Sequence, residues 1–122
     1  MFNVDPTTRK ITMHRGDTGE VTFTATGRTF GADDRAMFTI KDSSGSEIVK
    51  TYYELDDGEF TVEFTNPMTD YLSAGQYKYD IRYIIDPTWE GEGAEAHITN
   101  GDDVKTPGSP FILELLDTVG QV

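Results

Sequence analysis

The chain has 122 residues, no cysteine, and a formal net charge of −12 from 22 acidic and 10 basic residues. This length fits one domain with its own core, and the lack of cysteine excludes disulfides and thiolate metal sites. The acidic balance argues against nucleic acid or an anionic membrane surface as a partner, because both repel such a chain. No run of 18 apolar residues is present, so no membrane-spanning helix is predicted.

The start of the chain is predicted to be a lead-in segment. Residues 1–8 contain the turn formers Asn3, Asp5 and Pro6, and we expect them to be loosely attached to a single domain over residues 9–122. No basic region followed by an apolar stretch occurs here, so no signal peptide is predicted. We therefore expect synthesis in the cytoplasm.

Alternation of apolar and polar residues predicts strands along the first half of the chain. The predicted strands cover residues 9–15, 20–26, 36–41, 48–55 and 59–64. Asp57-Gly58 predicts a type I′ hairpin turn, in which both central residues need positive φ. Asn66-Pro67 predicts a short helical turn, near 67–72, that runs to about Leu72.

The segment 75–86, GQYKYDIRYIID, is predicted to be the central strand. Tyr77, Tyr79 and Ile81 begin a period-two series that continues to Ile85, typical of a strand with one buried face. Residues 87–95 are predicted to be a loop that contains Trp89. A further strand with Ala94, Ala96 and Ile98 is expected to end in a turn at Asn100-Gly101.

The last predicted strand, residues 111–116, is apolar on both faces. Ile112 and Leu116 lie on the face opposite to Phe111, Leu113 and Leu115. Such a strand either lies centrally in a sheet or is covered by another chain, and the sequence leaves both open.

The whole pattern predicts an all-β fold. Seven or eight strands with turn signals between them are typical of an antiparallel, immunoglobulin-like β-sandwich. A parallel α/β fold is excluded, because no stretch of ten residues has the periodicity of a helix.

Motifs for catalysis are absent. No nucleophile elbow, phosphate loop, dinucleotide fingerprint or zinc-protease helix occurs. His14 and His97 fall on polar strand faces and are predicted to be solvent-exposed strand residues. We therefore predict that the protein is not an enzyme and has no catalytic residue and no cofactor.

Three pairs of aspartates offer oxygen atoms that suit calcium. They are Asp33-Asp34, Asp56-Asp57 and Asp102-Asp103, and none has the spacing of a dedicated calcium loop. A turn-forming role is favoured, because the aspartate side chain accepts hydrogen bonds from its own turn. No metal site is predicted, and whether calcium binds is left open.

Residues 69–81, TDYLSAGQYKYDI, resemble the T-x-x-L-x-x-G-x-Y-x-Y-D-I segment of small phage and prophage virion proteins. Among these are the N-terminal domains of baseplate upper proteins from phages of Gram-positive bacteria. Residues 15–18, 36–41 and 111–114 are similar to their opening, third strand and closing strand, so the likeness spans residues 9–116. It implies an immunoglobulin-like domain in the virion, with other virion proteins as partners and a homo-oligomeric state. That nucleic acid and membrane are not partners is expected from the acidic charge.

The expected function is that of a non-enzymatic phage or prophage structural protein of the baseplate, tail or fibre. It would act through protein–protein contacts, with Trp89, Ile112 and Leu116 as candidate contact residues. Because no coiled coil or receptor-binding extension follows the domain, a connector or decoration role is expected rather than host recognition. The alternatives are a carbohydrate-binding module, with Trp89 and Tyr52 in a sugar platform, and an immunoglobulin-like domain of a bacterial surface protein.

Overall fold

A computed structural model describes residues 2–25, 29–91, 97–105 and 110–116. Its strands are β1 (Phe2–Val4), β2 (Ile11–His14), β3 (Gly19–Thr24), β4 (Arg35–Lys41), β5 (Glu47–Glu54), β6 (Glu59–Phe64), β7 (Gly75–Glu90), β8 (His97–Lys105) and β9 (Phe111–Leu116). The helix α1 (Asn66–Thr69) is shorter than predicted and follows β6. The all-β class is confirmed, with nine strands in the described ranges rather than seven or eight.

The strands form two sheets. The larger has seven strands in the order β1-β2-β9-β7-β4-β5, with β8 paired to the second half of β7. The smaller contains β3 and β6, which pair antiparallel. β2 and β9 run parallel, so the prediction of a wholly antiparallel arrangement is wrong at this pair. These strands lie at opposite ends of the chain, and the intervening strands supply the long crossover that a parallel pair needs.

The hydrophobic core lies where the two-stranded sheet packs on one face of the seven-stranded sheet. Phe38 of β4 meets Phe64 of β6 edge to face, with ring centroids 5.9 Å apart. Phe23 of β3 lies 6.1 Å from the Tyr79 ring of β7. These aromatic contacts join the sheets directly, and such pairs contribute beyond the area that they bury.

The central position of β7 is confirmed. Its first half lies between β4 and β9, and Tyr79, Ile81 and Tyr83 are buried as the sequence predicts. Asp80 and Ile84 of the other face are buried as well, so the expectation that this face is wet is wrong at these two positions. The Tyr79 hydroxyl donates a hydrogen bond to the backbone carbonyl of Arg9. Burial raises the pKa of the Tyr79 phenol well above its ordinary value.

The lead-in differs from the expectation of loose attachment. Phe2–Val4 pairs antiparallel with β2, and the Phe2 ring lies 5.4 Å from that of Phe64. A Cβ atom at Gly19 would come within 2.4 Å of the Phe2 ring, so the glycine leaves the space that this ring fills. Burial of Phe2 therefore holds the segment on the edge of the sheet.

The region after Asp86 also differs from the prediction. β7 continues to Glu90, so residues 87–90 are strand rather than loop, with Asp86 at φ 51° and irregular pairing around it. Asn100 and Gly101 lie inside β8 instead of forming a turn. A Cβ atom at Gly101 would lie 2.5 Å from Ile84 Cγ2, so close approach of the strands explains this glycine. Residues 92–96, which both predictions include, lie outside the described ranges.

The fold leaves two outer faces exposed on opposite sides of the core. We call the face of the seven-stranded sheet that points away from the core the basic face, and that of the two-stranded sheet the acidic face. Within the described ranges no helix is long and apolar enough to cross a membrane.

Candidate interaction surface

Trp89 lies over the basic face and is held there by two neighbours. Its ring meets the Tyr52 ring of β5 edge to face, with centroids 5.3 Å apart and planes 75° apart. The Arg35 guanidinium of β4 lies 5.6 Å from the Trp89 ring centre, within cation–π range. Trp89 remains 36% exposed. The indole is thus both packed on its own sheet and open to a partner.

The buried carboxylate of Asp34 fixes the strand end that carries Arg35. One oxygen accepts a hydrogen bond from the Gly31 amide at 2.8 Å, and the other accepts from the Asp86 amide at 3.0 Å. Asp34 therefore ties the loop before β4 to the bend in β7 from which Trp89 projects. This role is not visible in the sequence, because the pairing of Asp34 with Asp86 spans 52 residues.

Cations are concentrated on the basic face. The described strands place there these basic residues: Arg35, Lys41, Lys50, Lys78 and Arg82. Two are paired with acids on the same sheet, since Arg82 Nε lies 3.3 Å from an Asp80 oxygen and Arg35 lies 3.7 Å from Glu54. Half of the 10 basic residues of the chain thus lie on this face, which also carries the carboxylates of Glu54, Asp80 and Glu114.

The acidic face has the opposite character. Its alternating exposed residues are Glu20, Thr22, Thr24, Glu59, Thr61 and Glu63. The hydroxyls of Thr22 and Thr61 lie 2.8 Å apart across the two strands. Within the described strands the outward side chains are glutamate and threonine, so the charges that these strands place on the face are all negative.

The position of β9 answers part of the question that its apolar residues on both faces left open. It lies inside the sheet between β2 and β7, with Phe111, Leu113 and Leu115 in the core. Ile112 and Leu116 lie on the opposite, basic face and are half-buried. Ile112 also lines a groove of about 510 Å³ beside residues 7–10. These two side chains and Trp89 are thus on one face, but no recorded contact joins Trp89 to either.

The histidines are placed differently from each other. The His14 side chain is only 19% exposed, so the prediction of a solvent-exposed residue is wrong for it. Its Nδ1 lies 3.7 Å from an Asp17 oxygen. The side chain of His97 lies outside the described part of the structure.

The aspartate pairs have backbone roles where they are described. Asp56 exchanges backbone hydrogen bonds with Glu59, and Asp57 and Gly58 have φ of 53° and 80°, as the hairpin prediction requires. Among the described residues no group of three or more acidic or histidine side chains is positioned to hold a metal ion. The side chains of Asp102-Asp103 lie outside those residues.

Comparison with known proteins gives no family assignment. No family model, curated protein or solved structure matches the chain. The likeness to virion proteins therefore stays a prediction from the sequence. The two outer faces are the candidate interaction surfaces.

Proposed function

We propose that this protein is a non-enzymatic structural component of a phage or prophage virion, in its baseplate, tail or fibre, and acts through protein–protein contacts. The observation that carries the proposal is the basic face, where Trp89 stands exposed against Tyr52 and Arg35. Tryptophan, tyrosine and arginine are the residue types most enriched at the energetic centres of protein interfaces. The partners are other virion proteins, including further copies of the chain.

An immunoglobulin-like β-sandwich is part of this proposal, and the strand order supports it. In variable-type immunoglobulin domains one sheet contains the strands C′, C, F and G, and the other contains B and E. The order β5-β4-β7-β9 corresponds to the first set, and the pair β3-β6 to the second. The sequence resemblance over residues 9–116 implies the same architecture.

Carbohydrate binding is the second candidate, because Trp89 and Tyr52 were expected to line a sugar platform and their rings do meet. The 75° angle between the rings limits flat stacking to one of them at a time. This candidate predicts glycan binding that Trp89→Ala abolishes. Glycan-array screening of the wild-type chain and this variant distinguishes it from the structural role.

The test of the virion role is mass spectrometry of particles purified from the organism that encodes the chain. We expect the wild-type protein in the particles in stoichiometric amounts. Trp89→Ala should fold normally but enter the particles less, because it removes the exposed aromatic side chain of the face. Tyr71→Ala is the matched control, since Tyr71 is also an exposed aromatic, at 64%. Particles that lack the protein while the cells contain it would contradict the proposal.

A further inference from the structure

The basic face carries two lysines directly opposite each other. Lys41 of β4 and Lys78 of β7 are Cα partners in the antiparallel register. Side chains at such positions are about 5 Å apart at Cβ, and like charges there repel. Lys41 also lies across from Glu47 of β5, but among the described residues neither lysine forms an ion pair.

The acidic face carries the same arrangement with the opposite sign. Glu20 of β3 and Glu63 of β6 are Cα partners, and both are exposed. Their neighbours on the face are threonines, with Glu59 further along β6. The fold thus places a lysine pair (Lys41 and Lys78) on one side and a glutamate pair (Glu20 and Glu63) on the other. Within each pair the two like charges repel each other.

We infer that the basic face of one copy docks on the acidic face of a second copy, so that the lysine pair meets the glutamate pair. This inference rests on the proposed structural role and adds the partner and the surfaces. Each contact would add attractions between the two chains that offset the repulsion within the lysine pair and within the glutamate pair. Because the two faces point in opposite directions, the contact is head to tail, and it builds a stack or a closed ring rather than a two-fold dimer.

Charge complementarity is what favours a second copy as the occupant. The net charge of −12 opposes self-association at long range, so a local contact of opposite charges favours a pairing of the basic face with the acidic face over any pairing of two acidic faces. At an ionic strength of about 0.15 M the Debye length is about 8 Å, which weakens the long-range repulsion more than ion pairs in direct contact.

Charge reversal on each face tests the inference by sedimentation velocity. One variant carries Lys41→Glu and Lys78→Glu, and the other carries Glu20→Lys and Glu63→Lys. Each replaces one like-charge pair by another, so the repulsion within the pair is kept, while the net charge becomes −16 in the lysine variant and −8 in the glutamate variant. Circular dichroism checks that both variants fold. We expect wild-type protein to form species larger than the 13.6 kDa monomer as its concentration rises, and each variant alone to remain monomeric.

An equimolar mixture of the two variants is the decisive experiment, because opposite charges meet again wherever one variant contacts the other. We expect the mixture to regain the mass of the wild-type assembly. A wild-type chain that stays monomeric at its solubility limit, a single variant that still assembles, or a mixture that stays monomeric would each overturn the inference. A monomeric protein that is nevertheless found in purified particles would leave the virion role standing and remove only the head-to-tail contact.

Discussion

The two faces of the seven-stranded sheet are built from alternate residues of the same strands, yet one packs in the core and the other lies on the surface. On β4, Phe38 is fully buried and packs on Phe64 and Tyr79, whereas its neighbour Met37 lies half-exposed on the basic face. On β7, Tyr79 faces the core and Lys78 faces outward. The inner face therefore holds the fold together, and the outer face is accessible to a partner.

The magnitudes support this division. Burial of one large apolar side chain contributes about 1.5–3 kcal/mol, whereas an exposed ion pair contributes about 0–1 kcal/mol. The charges of the basic face therefore add little to stability.

The largest expected effect is on the inner face. Phe38→Ala should lower the free energy of unfolding by about 3–5 kcal/mol, because it opens a cavity at the junction of the two sheets. Met37→Ala, one residue away on the outer face, should lower it by about 1 kcal/mol or less. Urea denaturation of both variants measures the difference. Similar losses for the two would mean that the faces are not divided as we describe.

A smaller effect is expected at Asp34, which links the inner framework to the outer face. In Asp34→Asn one of the amides of Gly31 and Asp86 meets an NH₂ group instead of an oxygen, and a buried donor without an acceptor costs about 1–3 kcal/mol. We also expect a change in the fluorescence of Trp89, the only tryptophan. Asp33→Asn, at an exposed neighbour, is the control and should change neither the urea midpoint nor the emission.

The smallest expected effect is on the stability that an exposed turn contributes, and it appears only when the pH is lowered. Asp42 accepts hydrogen bonds from the Ser44 hydroxyl and from the amide of Ser46, and these lower the pKa of its carboxyl below 3.8. A carboxyl whose pKa is lower in the folded state stabilises the fold at a pH above its pKa in the unfolded state. This contribution is lost as the pH falls through its pKa in the folded state. The stability difference between wild type and Asp42→Ala should therefore shrink below pH 3.8. A difference that stays constant down to acid unfolding would count against this role.

The sequence predicted the inner face well because that face depends on local alternation. The buried series along β7 and the outward glutamates Glu59 and Glu63 follow directly from a period of two. The sequence also named Trp89 and Tyr52 together. It misplaced the extension of β7, because Pro87 signals a loop locally, while pairing with β8 maintains a strand there.

The charge pairs were not predictable from the sequence alone. Lys41 and Lys78 are separated by 37 positions, and Glu20 and Glu63 by 43, so only the strand register brings each pair together. Arg35 was missed for a similar reason, since its contact with Trp89 depends on the bend at Asp86. Properties of single strands are thus visible in the sequence, whereas properties of strand pairs need the fold.

The most direct test of the account is zero-length cross-linking of lysine to carboxylate in a mixture of normal and heavy-isotope-labelled protein. The two faces point away from each other, so a link between Lys41 or Lys78 and Glu20 or Glu63 has to join two copies. We predict that these linked peptides form and that they combine the two isotope labels. Wild-type protein that gives no such peptides at assembling concentrations would contradict the claim that the outer faces meet each other.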